Sequence, residues 1–426
     1  MTRQKQNVNI KTKVTIILFQ VRKVLLKMKF EPIIKSILDN DLYKISQQNA
    51  VLELYPEVEV EYRFKNRGKQ RFTEDFIEEL KKQINNLENI YLSENEYNWI
   101  KKRIPYLKPY YFEYLRNYRF NPDNIYVNLT EDKNLELQIV GKWVDTILFE
   151  VPLMAIISEL YFKMIDTNWD YDTQKDKACE KHNKLSVNNC LFSEFGTRRR
   201  RSYKTQNLVL ESFVENQKKH ENKCLKGTSN VHFAMKYDLV PIGTIAHEFI
   251  MAQQVLSSIN HCNYYAMEKW IDVFGTELGT FLPDTVTTDV FLKDFNRKFA
   301  FLFSGLRNDS GDPFIFAYKI INHYKKLKID PLSKYIIFSD NLNVDKCIQL
   351  KKYCDGKIKC AFGIGTHFTG DFCNSPALNM VIKLHSCNNF PVVKISDDEG
   401  KETGDIEAIK NMKWIIKNTL KENQYD

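Results

Sequence analysis

In the second half of the chain, short apolar runs end again and again in residues that can do chemistry. Phe195 stands with Arg198, Thr228 with Ser229, Thr244 with His247, Asp284 with Thr285, Arg307 with Asp309, Asp340 with Asn341, and Gly365 with Thr366. If these runs are neighbouring parallel strands, their ends face one mouth that offers cations, hydroxyls, glycine amides and carboxylates together. His247 opens the helical stretch HEFIMAQQVL, and Asp284 is the strand-end carboxylate that could accept from one ring nitrogen and fix the tautomer. A neutral imidazole so oriented is a nucleophile for a phosphoryl group; the plain alternative is a histidine satisfied within the fold.

The glycines of FGIGTHFTG, Gly363 and Gly365, would let the backbone approach an anion, with the Thr366 hydroxyl beside them where a helix begins. RNDSGDP packs Arg307, Asp309 and Asp312 around Ser310 and Gly311, a turn that could also hold ribose hydroxyls or a divalent cation. FGTRRRRSYKTQ puts an aromatic ring, a glycine and a hydroxyl before four arginines. By default such a run is a solvated or nucleic-acid-binding stretch. Directly after a strand end, a ring face plus a guanidinium fork also suits a flat anionic ring.

The elements that must position these residues follow from the alternation itself. LFSEFGTR, CLKGTSN, LVPIGTIAHE, GTFLPDT, FLFSGLRNDSGDP, YIIFSDNLN, CAFGIGT and PVVKISDD are about eight strand, loop and helix units, which favours a closed α/β barrel over an open sheet. Asn343 is a suitable N-cap for VDKCIQLKKYC, and Gly356 ends it. Before residue 180 the pattern is mixed. A helix is expected over 34–55 and a half-buried strand over VEVEYRF (58–64); aromatic-rich helices that pack into a core follow, to residue 114.

The chain has 62 Lys and Arg against 54 Asp and Glu. Eight of the basic residues, and no acidic one, fall in residues 1–30, so the remainder is balanced, which argues against a broad nucleic-acid-binding face. Residues 1–28 read as a basic extension, disordered or upstream of a true start at Met28, with a mitochondrial-type presequence as the alternative. Its apolar patch is too short to span a bilayer. Nine cysteines without CxxC pairs read as free thiols in a reducing cytoplasm, with no zinc site.

FSEFGTRRR, KGTSNVHFA, PIGTIAHEF, LPDTVTTDVFL, LRNDSGDP, FSDNLN, FGIGTHFTGDF, LNMVIKL and VVKISDDEGKETGD, in that order, closely resemble nicotinate phosphoribosyltransferase. The likeness runs from LDNDLYKISQQNAVLELYP to near the C-terminus. It implies a type II phosphoribosyltransferase fold: an irregular TIM-like α/β barrel over 181–395, and a smaller domain built mainly from 29–180 with 396–426 returning to it. It further implies a homodimer with composite sites. The implied reaction joins nicotinate to 5-phosphoribosyl 1-diphosphate, giving nicotinate mononucleotide and diphosphate. ATP hydrolysis is coupled to it through a phosphohistidine, and Mg²⁺ is carried by the diphosphate rather than by residues of the chain.

By position, the resemblance makes His247 the phosphorylated residue and Asp284 its orienting partner. Phe195 lies under the pyridine ring, and Tyr43 of DLYK covers the other face from the neighbouring subunit. Arg198, Ser229, Thr244 and Arg307 surround the base, the phosphates and the carboxylate. Asp309 holds ribose hydroxyls; Asp340, Gly365 and Thr366 line the 5'-phosphate side; Lys394 meets the diphosphate. Relatives that use nicotinamide carry an aspartate where this chain has Ser229, whose hydroxyl can instead donate to the acid. A nicotinamide or quinolinate enzyme of the same fold, a catalytically silent relative, and a basic nucleic-acid-binding protein are the alternatives.

Overall fold

Two sheets organise the computed structural model, which describes residues 30–421; the basic extension expected over 1–28 lies outside the described residues. The chain divides into units 1–33 and 34–426, and all that follows concerns the second. Strands β4 (Phe192–Glu194), β5 (Leu225–Thr228), β6 (Val240–Pro241), β7 (Thr280–Phe281), β8 (Gly305–Asn308), β9 (Tyr335–Phe338) and β10 (Lys359–Ile364) form a seven-stranded sheet in the order β6-β5-β4-β10-β9-β8-β7. All its pairings are parallel. This curled sheet with its intervening helices is the irregular α/β barrel that the alternation predicts.

Seven of the eight expected units supply it. The eighth, PVVKISDD, does not enter the barrel sheet. The Gln254 side chain accepts from Val393 N at 2.9 Å and donates to Val393 O at 2.7 Å, which consumes the backbone groups a ladder would need. Instead β12 (Phe390–Pro391) pairs antiparallel with β11 (Met380–Cys387).

The second sheet is antiparallel and five-stranded, β12-β11-β1-β3-β2, with β1 at Glu59–Asn66, β2 at Ile125–Leu129 and β3 at Leu135–Lys142. Early and late chain therefore meet in one sheet, and the late chain joins it at Met380, ahead of residue 396 where the sequence placed the return. The strand expected over 58–64 is β1. The helix expected over 34–55 begins only at Leu42 (α1, Leu42–Leu54). Upstream of it the backbone is committed elsewhere: Leu38 O and Asn40 O accept from His232 N and Val231 N, and Leu42 N donates to Ser229 O. The segment is thereby held beside the end of β5 in a turn, closed by Asp39 N on Ser36 O, and an isolated bridge between Asp41 and Asn230. α2 (Glu74–Asn86), α3 (Glu94–Arg103) and α4 (Pro109–Asn117) follow; Tyr97, Tyr111 and Phe112 fill the core as expected, whereas Tyr91 and Tyr110 are exposed. Helix α5 (Glu150–Met164) is apolar and buried along most of its length. Later, α6 (His247–Leu256) leaves the barrel mouth, and Asn343 caps α7 (Val344–Cys354) by accepting from Lys346 N.

The four arginines form neither a solvated run nor a nucleic-acid patch. Arg200 is fully buried and pairs bidentately with Asp39 at 2.8 and 2.7 Å. Arg201 is fully buried between the rings of Phe162 and Phe372, 3.4 and 4.3 Å from their centroids, and donates to Ser375 Oγ. These two anchors pin the turn that carries Phe195 and Arg198. Arg200→Met strands the Asp39 charge in the interior and is expected to cost about 3–5 kcal/mol. Arg63→Ala, at a largely exposed pair with Glu61, should cost under about 1 kcal/mol. Urea unfolding midpoints of the two variants check the contrast.

Candidate functional site

Where the antiparallel sheet meets the barrel mouth lies a cleft lined by Tyr43, Phe195, Arg198, Ser229, Thr244, His247, Arg307 and Asp309, all expected from the sequence. Its remaining lining includes Asp41, Glu150, Gly243, Glu248, Ile337 and, from β11, Ile382, Lys383 and Leu384. Tyr43, which the resemblance gave to a neighbouring subunit, reaches the cleft from α1 of its own chain, and the Arg198 guanidinium lies 5.9 Å from its ring centroid.

Close backbone approach explains two glycines. A Cβ on Gly243 would stand 2.6 Å from Tyr43 N, so only glycine lets the loop after β6 touch the start of α1. A Cβ on Gly363 would stand 2.3 Å from the Phe195 ring, so the missing side chain of Gly363 is what seats that ring. Glu194, at the end of β4, accepts from Gly196 N, Gln206 Nε2 and Thr228 Oγ1 and holds the turn beneath Phe195.

His247 is buried at the first position of α6. Its Nε2 lies 3.0 Å from Asp309 Oδ2 and its Nδ1 3.0 Å from Thr285 Oγ1. The orienting carboxylate is therefore Asp309. Asp284, expected in that role, stands 3.9 Å from Nε2, accepts from Ser310 Oγ, and lies 3.2 Å from Lys394 Nζ. Burial and the Lys394 charge push the imidazole down to about 4, although both carboxylates oppose them, so the ring is neutral at neutral pH. Burial works against the Asp309 carboxylate, but Arg307 and His247 more than offset it and hold Asp309 well below the usual range. An ionised Asp309 only accepts, so the tautomer that satisfies both contacts carries its proton on Nε2 and accepts from Thr285 on Nδ1.

Arg307 is tied down as well, donating to Asp309 Oδ1 at 2.8 Å and to Ser339 Oγ at 3.0 Å. His247, Asp284 and Asp309 offer ligand atoms within 4.8 Å of one another, and Asp284 Oδ1 is buried without a hydrogen-bond partner. The resemblance assigned no protein ligand for a metal; this trio, which shares Asp309 with the turn RNDSGDP, is where a cation would fit.

Other expectations land differently. The Ser229 hydroxyl, expected to face the substrate, donates to Asp41 Oδ1 at 2.7 Å, so a buried carboxylate already occupies that corner. Asp340, Gly365 and Thr366 stand at the ends of β9 and β10, beside the cleft and not in its lining; Asp340 lies 3.5 Å from Lys401 Nζ.

Sequence reasoning missed Asp41, Lys44, Glu150, Glu248 and Lys383. The available signals were a charge inside the apolar run ILFEVPLMAIISEL, the lysines of DLYK and LNMVIKL, and the glutamate next to His247. Lys44 is wholly excluded from solvent between Glu150 and Glu248, and Glu150 Oε1 lies 3.4 Å from Arg198 Nη1. Burial pulls Lys383 down to about 8, although Glu150 favours its charged form.

The nicotinate phosphoribosyltransferase family model matches residues 190–420, and the model of that family's N-terminal domain matches 38–158. The chain belongs to the nicotinate phosphoribosyltransferase family. It is 47% identical over 404 residues to nicotinate phosphoribosyltransferase of Methanosarcina mazei, covering 90% of this chain and 98% of that protein. To the Saccharomyces cerevisiae enzyme it is 41% identical over 408 residues, covering 90% and 95%. A crystal structure of nicotinate phosphoribosyltransferase from Porphyromonas gingivalis superposes with a TM-score of 0.86 at 38% identity, covering 90% of this chain and all of that one. No helix among the described residues is long and apolar enough to cross a membrane.

The depressed His247 pKa has a stability consequence. The unfolded chain protonates this imidazole near 6.5 and the folded chain only near 4, so between these values the unfolded state binds more protons. Folding stability should therefore fall as pH drops from about 6.5 to about 4, with roughly 3 kcal/mol traceable to this residue. Urea unfolding at stepped pH should show a shallower decline in His247→Gln.

Proposed function

We propose that the chain joins nicotinate to 5-phosphoribosyl 1-diphosphate, giving nicotinate mononucleotide and diphosphate, with ATP hydrolysis coupled through transient phosphorylation of His247. It would open the route from salvaged nicotinate to NAD in the cytoplasm. The observation that carries this reading is that two aromatic rings, a part-buried guanidinium and a neutral, carboxylate-bound imidazole line a single cleft.

The pyridine ring fits against Phe195 and Tyr43, with its carboxylate on Arg198. Held in line, the ring nitrogen attacks C1 of the ribose as diphosphate leaves from the opposite face. Asp309, fixed by Arg307, is placed to accept from ribose hydroxyls, and Lys394 to meet the departing diphosphate. Mg²⁺ that arrives with the diphosphate fits Asp284 and Asp309, and when bound it neutralises charge on the leaving group.

The neutral His247 ring is the group able to take a phosphoryl from ATP. Phosphorylation would add about two negative charges beside Asp284 and Asp309, displacing the Asp309 contact and turning Lys394 and Arg307 toward the new anion. Since Ser229 is occupied by Asp41, preference for the acid over the amide rests on the cations Arg198 and Lys383 that face the cleft.

Mononucleotide formation from nicotinate, nicotinamide and quinolinate, each with and without ATP, tests the reading. Product from nicotinate alone, stimulated by ATP and lost in His247→Ala only to the ATP-independent rate, is expected. Product from quinolinate without stimulation would reassign the substrate. Gly363→Ala, which displaces the Phe195 ring, should raise the nicotinate KM about tenfold or more with less effect on the 5-phosphoribosyl 1-diphosphate KM, measured by steady-state kinetics.

A further inference from the structure

Lys44 takes no part in the reaction above, yet it sits at the electrostatic centre of the cleft wall. Its Nζ contacts Glu150 Oε2 at 2.7 Å and also Glu248 Oε2. Glu150 presents its other oxygen, Oε1, to Arg198 Nη1 at the longer distance of 3.4 Å, and no further hydrogen bond from the Arg198 side chain is found among the described residues. Two carboxylates thus compete for one guanidinium: that of Glu150, always present, and that of the substrate. A guanidinium binds carboxylate most strongly as a bidentate fork, and it cannot fork to both at once. With Oε2 committed to Lys44, Glu150 is denied that fork.

We propose that Lys44 is a positioning residue that keeps Arg198 open to the carboxylate of the incoming substrate by holding the carboxylate of Glu150. The inference rests on the reading of Arg198 as the partner of the substrate acid.

The groups around Glu150 decide what removing Lys44 would do. Tyr43 and Lys44 face it from α1, Arg198 from the turn after β4, Lys383 from β11, and Glu248 from α6. Burial raises the Glu248 carboxyl beyond what Lys44 offsets. Glu150 is buried too, but Lys44, Lys383 and Arg198 together hold it below the usual range. Without Lys44, Glu248 takes up a proton, whereas Glu150 stays ionised beside its two remaining cations. Its freed Oε2 then completes the fork to Arg198.

Nicotinate KM and kcat at saturating 5-phosphoribosyl 1-diphosphate, with equilibrium binding of nicotinate, test this in Lys44→Met, Lys44→Met/Glu150→Gln and Lys44→Met/Glu248→Gln. Lys44→Met should raise the nicotinate KM by about tenfold or more while kcat changes by less than about threefold. Adding Glu150→Gln should restore the KM, and adding Glu248→Gln should not, although both second changes remove one buried carboxylate. Equal restoration by both would reduce Lys44 to a generic charge balance and overturn the proposal, as would a loss confined to kcat. Should Lys44→Met fail to fold, Glu150→Gln alone decides: removing the competitor should lower the nicotinate KM, and a rise would overturn the idea. Arg198→Gln separates the two levels. If it leaves nicotinate binding intact, the reading of Arg198 fails and this one with it; if nicotinate binding is lost there but unmoved in Lys44→Met, only the role of Lys44 falls.

Discussion

Charges taken out of water must be matched where they lie, and that constraint governs the seam between the antiparallel sheet and the barrel. Lys44 comes from α1, Glu150 from α5, Glu248 from α6, Arg198 from the turn after β4 and Lys383 from β11. Lys44, Glu150 and Glu248 are closed off from water and not tolerable there alone, and none finds its partner within its own element. Burying them requires the antiparallel sheet and the barrel to meet in one arrangement, and that arrangement forms the cleft. The same groups that fix the docking set the potential that a ligand meets.

The histidine at the other end of the cleft shows the principle with the opposite sign. Burial alone would make Asp284 and Asp309 neutral and leave an inert pocket. Arg307 and Lys394 keep both carboxylates charged, and the imidazole between them is kept neutral by burial and by Lys394. A neutral nitrogen base next to ionised carboxylates and a buried ammonium is an unusual composition for a core. It is stable only because every charge is tied to a second residue, and it is a reactive composition for phosphoryl and ribosyl chemistry.

Much of the site was legible because parallel strands end at one mouth: apolar runs closed by Arg198, Thr244, His247, Arg307 and Asp309 could be assigned to one cleft before any coordinates. What could not be read was which partner each side chain takes. Asp284 and Asp309 are both strand-end carboxylates, and only the curl of the sheet decides which reaches Nε2. Gly363 carries the look of a phosphate loop, and the ring of Phe195 packed on it is a requirement that its spacing did not reveal. The arginine run shows the same limit: of four identical residues, Arg198 faces the cleft while Arg200 and Arg201 are core anchors, because the turn exposes one side of itself and buries the other.

The sequence by itself determined the alternation of strand and helix, the chemistry available at each strand end, the neutral charge of the body and the family to which the chain belongs. Those are local properties, written in spacing and residue type. Tertiary structure alone decided that Tyr43 and Lys383 join Phe195 from within one chain, that Ser229 is spent on Asp41, that the strand of PVVKISDD is withheld from the barrel by Gln254, and that Lys44 is balanced between two carboxylates. Each of these depends on contacts between residues far apart in the chain. Pairing of that kind is set by burial and shape in three dimensions, and no periodicity along the chain encodes it.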